Sequence, residues 1–310
     1  MANYSKFVTI SKMKRIRCAI CREKEELQIL YKQNFSESSI DAQTFSARRI
    51  PDRIHYQFVR CNRCGLIFSN PILSQAKINS LYSKSGFNYG CESEYLKHTY
   101  FEYFKKYLLK NDYKRSKILE VGCGNGFFLE ELWDNGIKNI YGVEPGKPSV
   151  QKASLPIRKR IKIDILRRGL YDKESFDIIC CFHTLDHIPD PNKFLEVVYS
   201  LLKKNGKVFF IVHNTDGLPA KILGSSFPIY DIEHIYLFNK HNLSSLFSKN
   251  KFRQPVVFEI ANKYPLRYWL KLFPMSSSFK IKLLNLLGVF KLESVPLKIQ
   301  AGNIGIVAKK

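Results

Sequence analysis

Lys117-Ile-Leu-Glu-Val-Gly-Cys-Gly-Asn-Gly126, running on into Phe127 to Asn135, is the stretch that decides the architecture. Its apolar run is too short for a helix, and three glycines within five positions force a sharp turn. The amphipathic stretch after them has helical spacing, so the segment reads as strand, turn, helix. Working outward in the C-terminal direction, Asn139 to Val143 is a second strand ending at Glu144, and Arg160 to Ile165 a third. Phe176 to Phe182 is a fourth, mostly apolar as a strand covered on both faces should be. Asn192 to Leu202 is a helix, Asn205-Gly206 a turn and Lys207 to Val212 a fifth strand. Short apolar runs alternating with amphipathic ones predict an α/β fold: a mainly parallel sheet with helices on both faces.

The glycine turn brings backbone close to a ligand and aims helix N-terminal amides at it. Glu144 stands at the end of the next strand, where one carboxylate can accept hydrogen bonds from both hydroxyls of a ribose. The turn does not fit a dinucleotide. That fingerprint is G-x-G-x-x-G/A, and Phe127 occupies the position of its third small residue. The spacing therefore favours a nucleoside cofactor without a pyrophosphate.

Four segments then fall in one order. Ile118-Leu-Glu-Val-Gly-Cys-Gly-Asn-Gly126 resembles the first motif of class I S-adenosylmethionine (SAM)-dependent methyltransferases, and Gly142-Val-Glu-Pro145 their second-strand motif. Phe176 to Pro191, containing Leu185-Asp-His-Ile-Pro-Asp-Pro191, resembles the fourth-strand segment, and Leu201 to Val208 the turn into the fifth strand. The resemblance, over residues 116–213, implies a Rossmann-like sheet and methyl transfer from SAM. It places Glu120, Gly122, Cys123, Gly124, Asn125 and Gly126 at the methionine part of SAM, Glu144 and Pro145 at the ribose, and Asp164 near the adenine. Asp164 reads equally as a solvated loop carboxylate. A base is needed only where the acceptor must lose a proton. Candidates are His183, Asp186 and His187 beyond the fourth strand, His234 in Asp231-Ile-Glu-His-Ile-Tyr-Leu-Phe238, and more weakly His213. Asp186-His187 stands where the family usually has Glu-His; a structural role, a base and a divalent-metal ligand are all open.

Cys18-x-x-Cys21 and Cys61-x-x-Cys64 lie 39 residues apart. Two such turns complete a tetrahedral four-thiolate shell, and Gly65 suits the turn after the second pair. We expect a structural zinc ion in a small ribbon-like module, with Ile54 to Arg60 as one strand, rather than a redox pair. Cys91, Cys123, Cys180 and Cys181 have no partner at ligand spacing and read as packing residues. The expected domains are a zinc module over 1–75, a helical connector over 76–115 and a methyltransferase domain over 116–310, of which 214–310 is the acceptor side. Methyltransferases with such a module resemble those of sugar and polysaccharide pathways.

The formal charge is +23, with the basic excess concentrated in the two ends of the chain. That balance suits an anionic partner, though solvated lysines alone would also produce it. No run reaches the ~18–20 apolar residues of a spanning helix, and Phe7 to Ile10 is too short for a signal peptide, so a cytoplasmic location is expected. Phe279, Leu283, Leu286, Leu287 and Phe290 share one helical face beside Lys280, Lys282 and Lys291, following Trp269. That helix either caps the core or lies in a membrane interface. The acceptor expected is a small molecule, a sugar or a lipid-linked glycan. An RNA substrate and a non-catalytic binding role stand as alternatives; the first conflicts with the lack of an Asn/Asp-Pro-Pro-Tyr/Phe segment, the second with the intact glycine turn.

Overall fold

The computed structural model describes residues 13–36, 39–41, 44–45, 54–84, 92–108, 113–224, 227–272, 275–290 and 292–310. Cys91, Lys291 and Phe7 to Ile10 lie outside them. In chain order the strands are β1 (Leu27–Tyr31), β2 (Phe58–Cys61), β3 (Ile67–Ser69), β4 (Ile118–Val121), β5 (Ile140–Val143), β6 (Ile161–Lys162), β7 (Phe176–Phe182), β8 (Leu202–His213), β9 (Tyr236–Leu237), β10 (Arg253–Pro265) and β11 (Pro296–Lys309). The helices are α1 (Gln75–Lys84), α2 (Glu92–Leu108), α3 (Phe127–Asp134), α4 (Lys147–Gln151), α5 (Leu155–Arg158), α6 (Pro191–Leu201), α7 (Leu218–Leu223), α8 (Lys240–Lys249), α9 (Leu266–Leu272) and α10 (Ser277–Val289).

The main sheet runs β10-β11-β8-β7-β4-β5-β6. Pairing is parallel from β6 to β8, while β11 lies antiparallel between β8 and β10. Neighbouring residues of the central strands alternate between two cores. Leu119, Ile179 and Phe210 face α6, α8 and the N-terminal segment. Ile118, Cys180 and Phe209 face α2 and α3. Cys180 and Cys181 thus pack on opposite faces, each fully buried. The chain leaves β4 toward β5 and β6, then returns to β7 on the other side, so a crevice opens beyond the carboxyl ends of β4 and β7.

Local sequence explains the ends of these elements. Asp190 caps α6 by accepting from the Lys193 amide (3.2 Å), with Pro191 at the first helical position. The aromatic stripe of 76–115 becomes α2, which buries Tyr100, Phe101 and Phe104 against α3. The third strand is shorter than expected: only Ile161 and Lys162 pair with β5, because Asp164 turns its carboxylate to the Ile165 amide and leaves the ladder. Asn205 adopts a left-handed φ of 63°, and the expected turn is a register shift within the longer β8. Strand β10 was not foreseen. Several of its side chains are exposed or half-buried, so it lacks the apolar run that marked the central strands.

A second, antiparallel sheet joins the two ends of the fold. Its order is β1-β2-β3-β9, so the N-terminal segment supplies three strands and the region after β8 the fourth. Phe58, Ile67, Phe227, Tyr230 and Leu237 form its own core.

Candidate functional site

A cavity of about 1330 Å³ occupies the crevice, larger than the ~300–1,000 Å³ usual for one ligand. Glu120, Gly122, Gly124, Glu144, Pro145 and Asp164 line one end. Gly122, Gly124 and Gly126 have φ of 72°, 55° and 73°, which only glycine adopts freely. Gly122 has a second reason to be glycine: a Cβ there would lie 2.2 Å from Thr184 Oγ1. The Gly124 amide donates to Glu144 Oε2 (3.0 Å) and the Gly146 amide to Oε1 (2.7 Å), so the carboxylate is held against the glycine turn. Burial nevertheless raises the Glu144 carboxyl. Glu120 is 2% exposed, and its Oε2 has no hydrogen-bond partner among the described residues. Burial, then the nearby Glu144 charge, pushes its carboxyl well up.

Three positions expected at the cofactor do not line the cavity. Cys123 turns into the core, where a Cβ on Gly142 would meet its sulfur at 2.7 Å. Gly126 packs against Ile157, and Asn125 lies beside it in the turn. Asp164 lines the cavity but already accepts from Arg167 (2.9 Å), which holds its carboxyl below the usual range.

At the other end four imidazoles surround one carboxylate. Asp186 is 1% exposed. Burial opposes its charge, yet His187, His213 and His234 hold its carboxyl far below the usual carboxylate range. His213 Nδ1 donates to Asp186 Oδ2 at 2.9 Å, which leaves Nε2 as the ring nitrogen free to accept a proton. His187 Nε2 lies 3.7 Å from Oδ1 and His234 Nε2 3.9 Å from Oδ2. The His183 ring lies 4.5 Å from that of His213, tilted by 50°, and His183 itself takes a left-handed φ of 45° as β7 turns into the site. His183, His187, His213 and His234 all line the cavity, while Asp186 lies beneath them. Burial keeps His187 and His234 below the ordinary imidazole value. His183, Asp186 and His213 bring ligand atoms within 4.8 Å of one another, as do Asp186, His187 and His234.

Sequence reading missed partners from elsewhere. The Tyr82 hydroxyl of α1 shares a hydrogen bond with His187 Nδ1 (2.7 Å); burial, then the Glu233 and Asp186 charges, raise its own phenol. Glu233, Tyr264, Tyr268 and Trp269 complete the walls. The aromatic spacing of 76–115 and of 264–273 carried a signal for helices, but none for which side chains face this cavity.

The four cysteines Cys18, Cys21, Cys61 and Cys64 cluster with their sulfurs within 4.8 Å of one another. Cys18 to Cys64 is 3.4 Å, Cys21 to Cys61 3.3 Å and Cys21 to Cys64 3.8 Å. The two turns are built alike. The Arg22 amide donates to the Cys18 carbonyl (3.1 Å) and the Gly65 amide to the Cys61 carbonyl (2.8 Å), and Arg22 and Gly65 have φ of 66° and 71°. The cluster is fastened to the main domain. Asn192 donates to the Ala19 carbonyl (3.0 Å) and Lys249 Nζ to the Ile20 carbonyl. With its amide turned to place nitrogen toward the carbonyl, Asn242 donates to the Cys64 carbonyl (2.9 Å) and accepts from the Leu66 amide (3.3 Å).

A family model for the methyltransferase domain matches residues 93–254. The ubiquinone biosynthesis O-methyltransferase of Klebsiella pneumoniae is 29% identical over 107 residues, 33% of this chain and 44% of that protein. That of Pseudomonas entomophila is 29% identical over 119 residues, 36% and 51% of the two chains. The match thus spans about half the length of these relatives. Among solved structures, a SAM-dependent methyltransferase of Archaeoglobus fulgidus superposes with a TM-score of 0.50 at 19% identity, over 70% of this chain and 94% of that one. The family model covers just over half of the chain, so the chain belongs to the methyltransferase-domain family, as a SAM-dependent methyltransferase.

Proposed function

We propose that the chain transfers a methyl group to a hydroxyl of a small molecule, a sugar or a glycan intermediate. The residues at the glycine end fit SAM. Buried Glu120 offers an acceptor oxygen with no partner among the described residues, suited to the methionine ammonium. Glu144 would exchange its two amide contacts for the ribose hydroxyls, with Gly122 and Gly124 admitting the backbone close to the cofactor. When bound, SAM supplies an electrophilic methyl group, so the work of the protein is alignment and, where the acceptor holds a proton, its removal.

The observation that carries the hydroxyl reading is the Asp186–His213 hydrogen bond. An amine acceptor reacts through its own lone pair, whereas a hydroxyl benefits from a base. Asp186 fixes the His213 tautomer with Nε2 as acceptor. His234, 4.8 Å from His213 ring to ring, is the second candidate. Tyr82 orients His187, whose Nε2–H then faces Asp186; this is a positioning role. The cavity exceeds one cofactor in volume, and its mixture of imidazoles with Tyr264, Tyr268 and Trp269 suits the polar edges and apolar faces of a sugar. The matched relatives carry O-methyltransferase in their names, which agrees with this choice of atom.

The cysteine cluster fits zinc. A tetrahedral shell with Zn–S bonds of ~2.3 Å sets sulfurs ~3.8 Å apart, close to the 3.3–3.8 Å present. Four thiolates leave no open position, so the ion would stabilise the N-terminal module and, through Asn192, Asn242 and Lys249, anchor it on α6 and α8.

The test is methyl transfer from labelled SAM to a panel of hydroxyl- and amine-bearing sugars, with His213→Asn alongside. Turnover of hydroxyl acceptors, falling about 10²–10⁴-fold in the variant with SAM affinity intact, is expected. Turnover of amines alone, at equal rates in both proteins, would sink the proposal.

A further inference from the structure

Helix α10 is not the cap on the core that its spacing allowed. Phe279 is 55% exposed, Ile281 58%, Leu286 57% and Phe290 65%. Leu283 and Leu287 are half-buried, so the apolar face is split and its outer half is open. Apolar exposure continues along the chain through Leu292 and Val295 to Ile299. Ile299 also lines the cavity, as do Tyr268 and Trp269 of α9. The open face and the acceptor end of the cavity are therefore neighbours.

Charge decides what could cover such a face. Between residues 260 and 310 there is one acidic side chain, Glu293, against nine basic ones. Lys263, Arg267, Lys282 and Lys298 are exposed among them. A second copy of this chain would bring +23 against +23, and such like-charge contact disfavours self-association. No helix among the described residues is long and apolar enough to cross a membrane. Apolar side chains flanked by lysines on a short surface helix instead match an interface between headgroups and acyl chains.

We propose that α10 and the segment Leu292 to Ile299 dock on an anionic phospholipid bilayer. Phe279, Leu286 and Phe290 enter the headgroup boundary while the basic residues around them meet lipid phosphates. The docked face turns the cavity mouth toward the membrane, so a lipid-linked acceptor would reach the histidines without leaving the bilayer. That last step rests on the function proposed above; the docking does not.

The test is co-sedimentation of the full chain with vesicles of phosphatidylcholine mixed with phosphatidylglycerol, against phosphatidylcholine alone. The variant Phe279→Ser/Leu286→Ser/Phe290→Ser changes only exposed positions. We expect pelleting with the anionic vesicles, weakened by added salt, and a loss of about ten-fold or more in partitioning for the variant. Calorimetric SAM affinity should be the same in both proteins, which shows that the variant is folded and keeps the cofactor reading separate. Wild-type protein that stays in the supernatant with anionic vesicles, or a variant that pellets as well as wild type, would overturn the proposal. So would a stable wild-type dimer that the variant abolishes, because the face would then belong to a second copy.

Discussion

Replacing Gly122 with alanine isolates the geometry on which the cofactor site depends. At φ 72° the new side chain sits in the left-handed region, at a cost of about 1–2 kcal/mol. Its Cβ would also lie 2.2 Å from Thr184 Oγ1 and 2.8 Å from Cγ2, and forcing extra volume into a packed site costs about 1–3 kcal/mol. Together these predict a loss of about 2–5 kcal/mol, or a fall in Tm of roughly 3–8 °C for a chain of this size. The two contributions can be separated. Thr184→Ala removes both clashing atoms, at the expense of the 3.0 Å bond from its hydroxyl to the Phe182 carbonyl. In the Gly122→Ala background it should therefore restore about 1–3 kcal/mol, while the backbone cost remains. Thermal melts of the wild type, both single variants and the double variant supply the cycle, and SAM titration of each reports the turn itself. Single effects that simply add, or a Gly122→Ala protein that melts like wild type, would refute the reasoning.

Glu144→Ala should weaken SAM about ten-fold or more by calorimetry, the loss expected when a charged hydrogen-bonding group is removed; unchanged affinity would detach the carboxylate from the ribose. Cys64→Ser should lower zinc content by elemental analysis and melt the N-terminal sheet before the main domain, whereas a variant with full metal content and an unchanged melt would exclude the four-thiolate shell. Stability should fall with acid. His187 and His234 are held below the ordinary value of 6.5 by burial, so below that pH the unfolded chain binds protons that the folded one refuses. The loss approaches about 1.4 kcal/mol per imidazole for each further pH unit. Asp186, held low by its histidines, works in the same direction once pH drops through the carboxylate range. Chemical denaturation at pH 7 and pH 5.5 would show the slope, and His234→Gln should flatten it; equal stability at the two pH values would contradict the burial of neutral imidazoles.

The central sheet was legible because each of its strands is defined by its own residues. Phe176 to Phe182 must be buried on both faces whatever surrounds it, and the glycines after Val121 admit one kind of turn. Strand β10 was hidden for the opposite reason. Its half-exposed side chains carry no apolar run, and it is a strand only because β11 lies beside it. The histidine cluster shows the same division. His183, Asp186 and His187 could be found together because one loop holds them. His213 arrives from β8, His234 from the insert and Tyr82 from α1, and their convergence on Asp186 is a property of packing. His213 stood below His234 in the sequence reading because the 2.9 Å bond that distinguishes it joins the end of β8 to the turn after β7, which no local signal announces. The four cysteines were legible because each pair carries its geometry within four residues, but nothing local indicated that their sheet would be finished by Tyr236 and Leu237.

That borrowed strand sets a timetable for synthesis. Ser69 and its partner His234 are separated by 165 residues, which a ribosome adds in about 8–33 s at ~5–20 residues per second. During that interval β3 is a nascent sheet edge with its hydrogen-bonding groups unclaimed, a template for pairing with any other strand nearby. Metal capture by the cysteine turns, possible once Cys64 has left the exit tunnel, would be the earliest event able to hold the emerging segment in its own fold until β9 arrives.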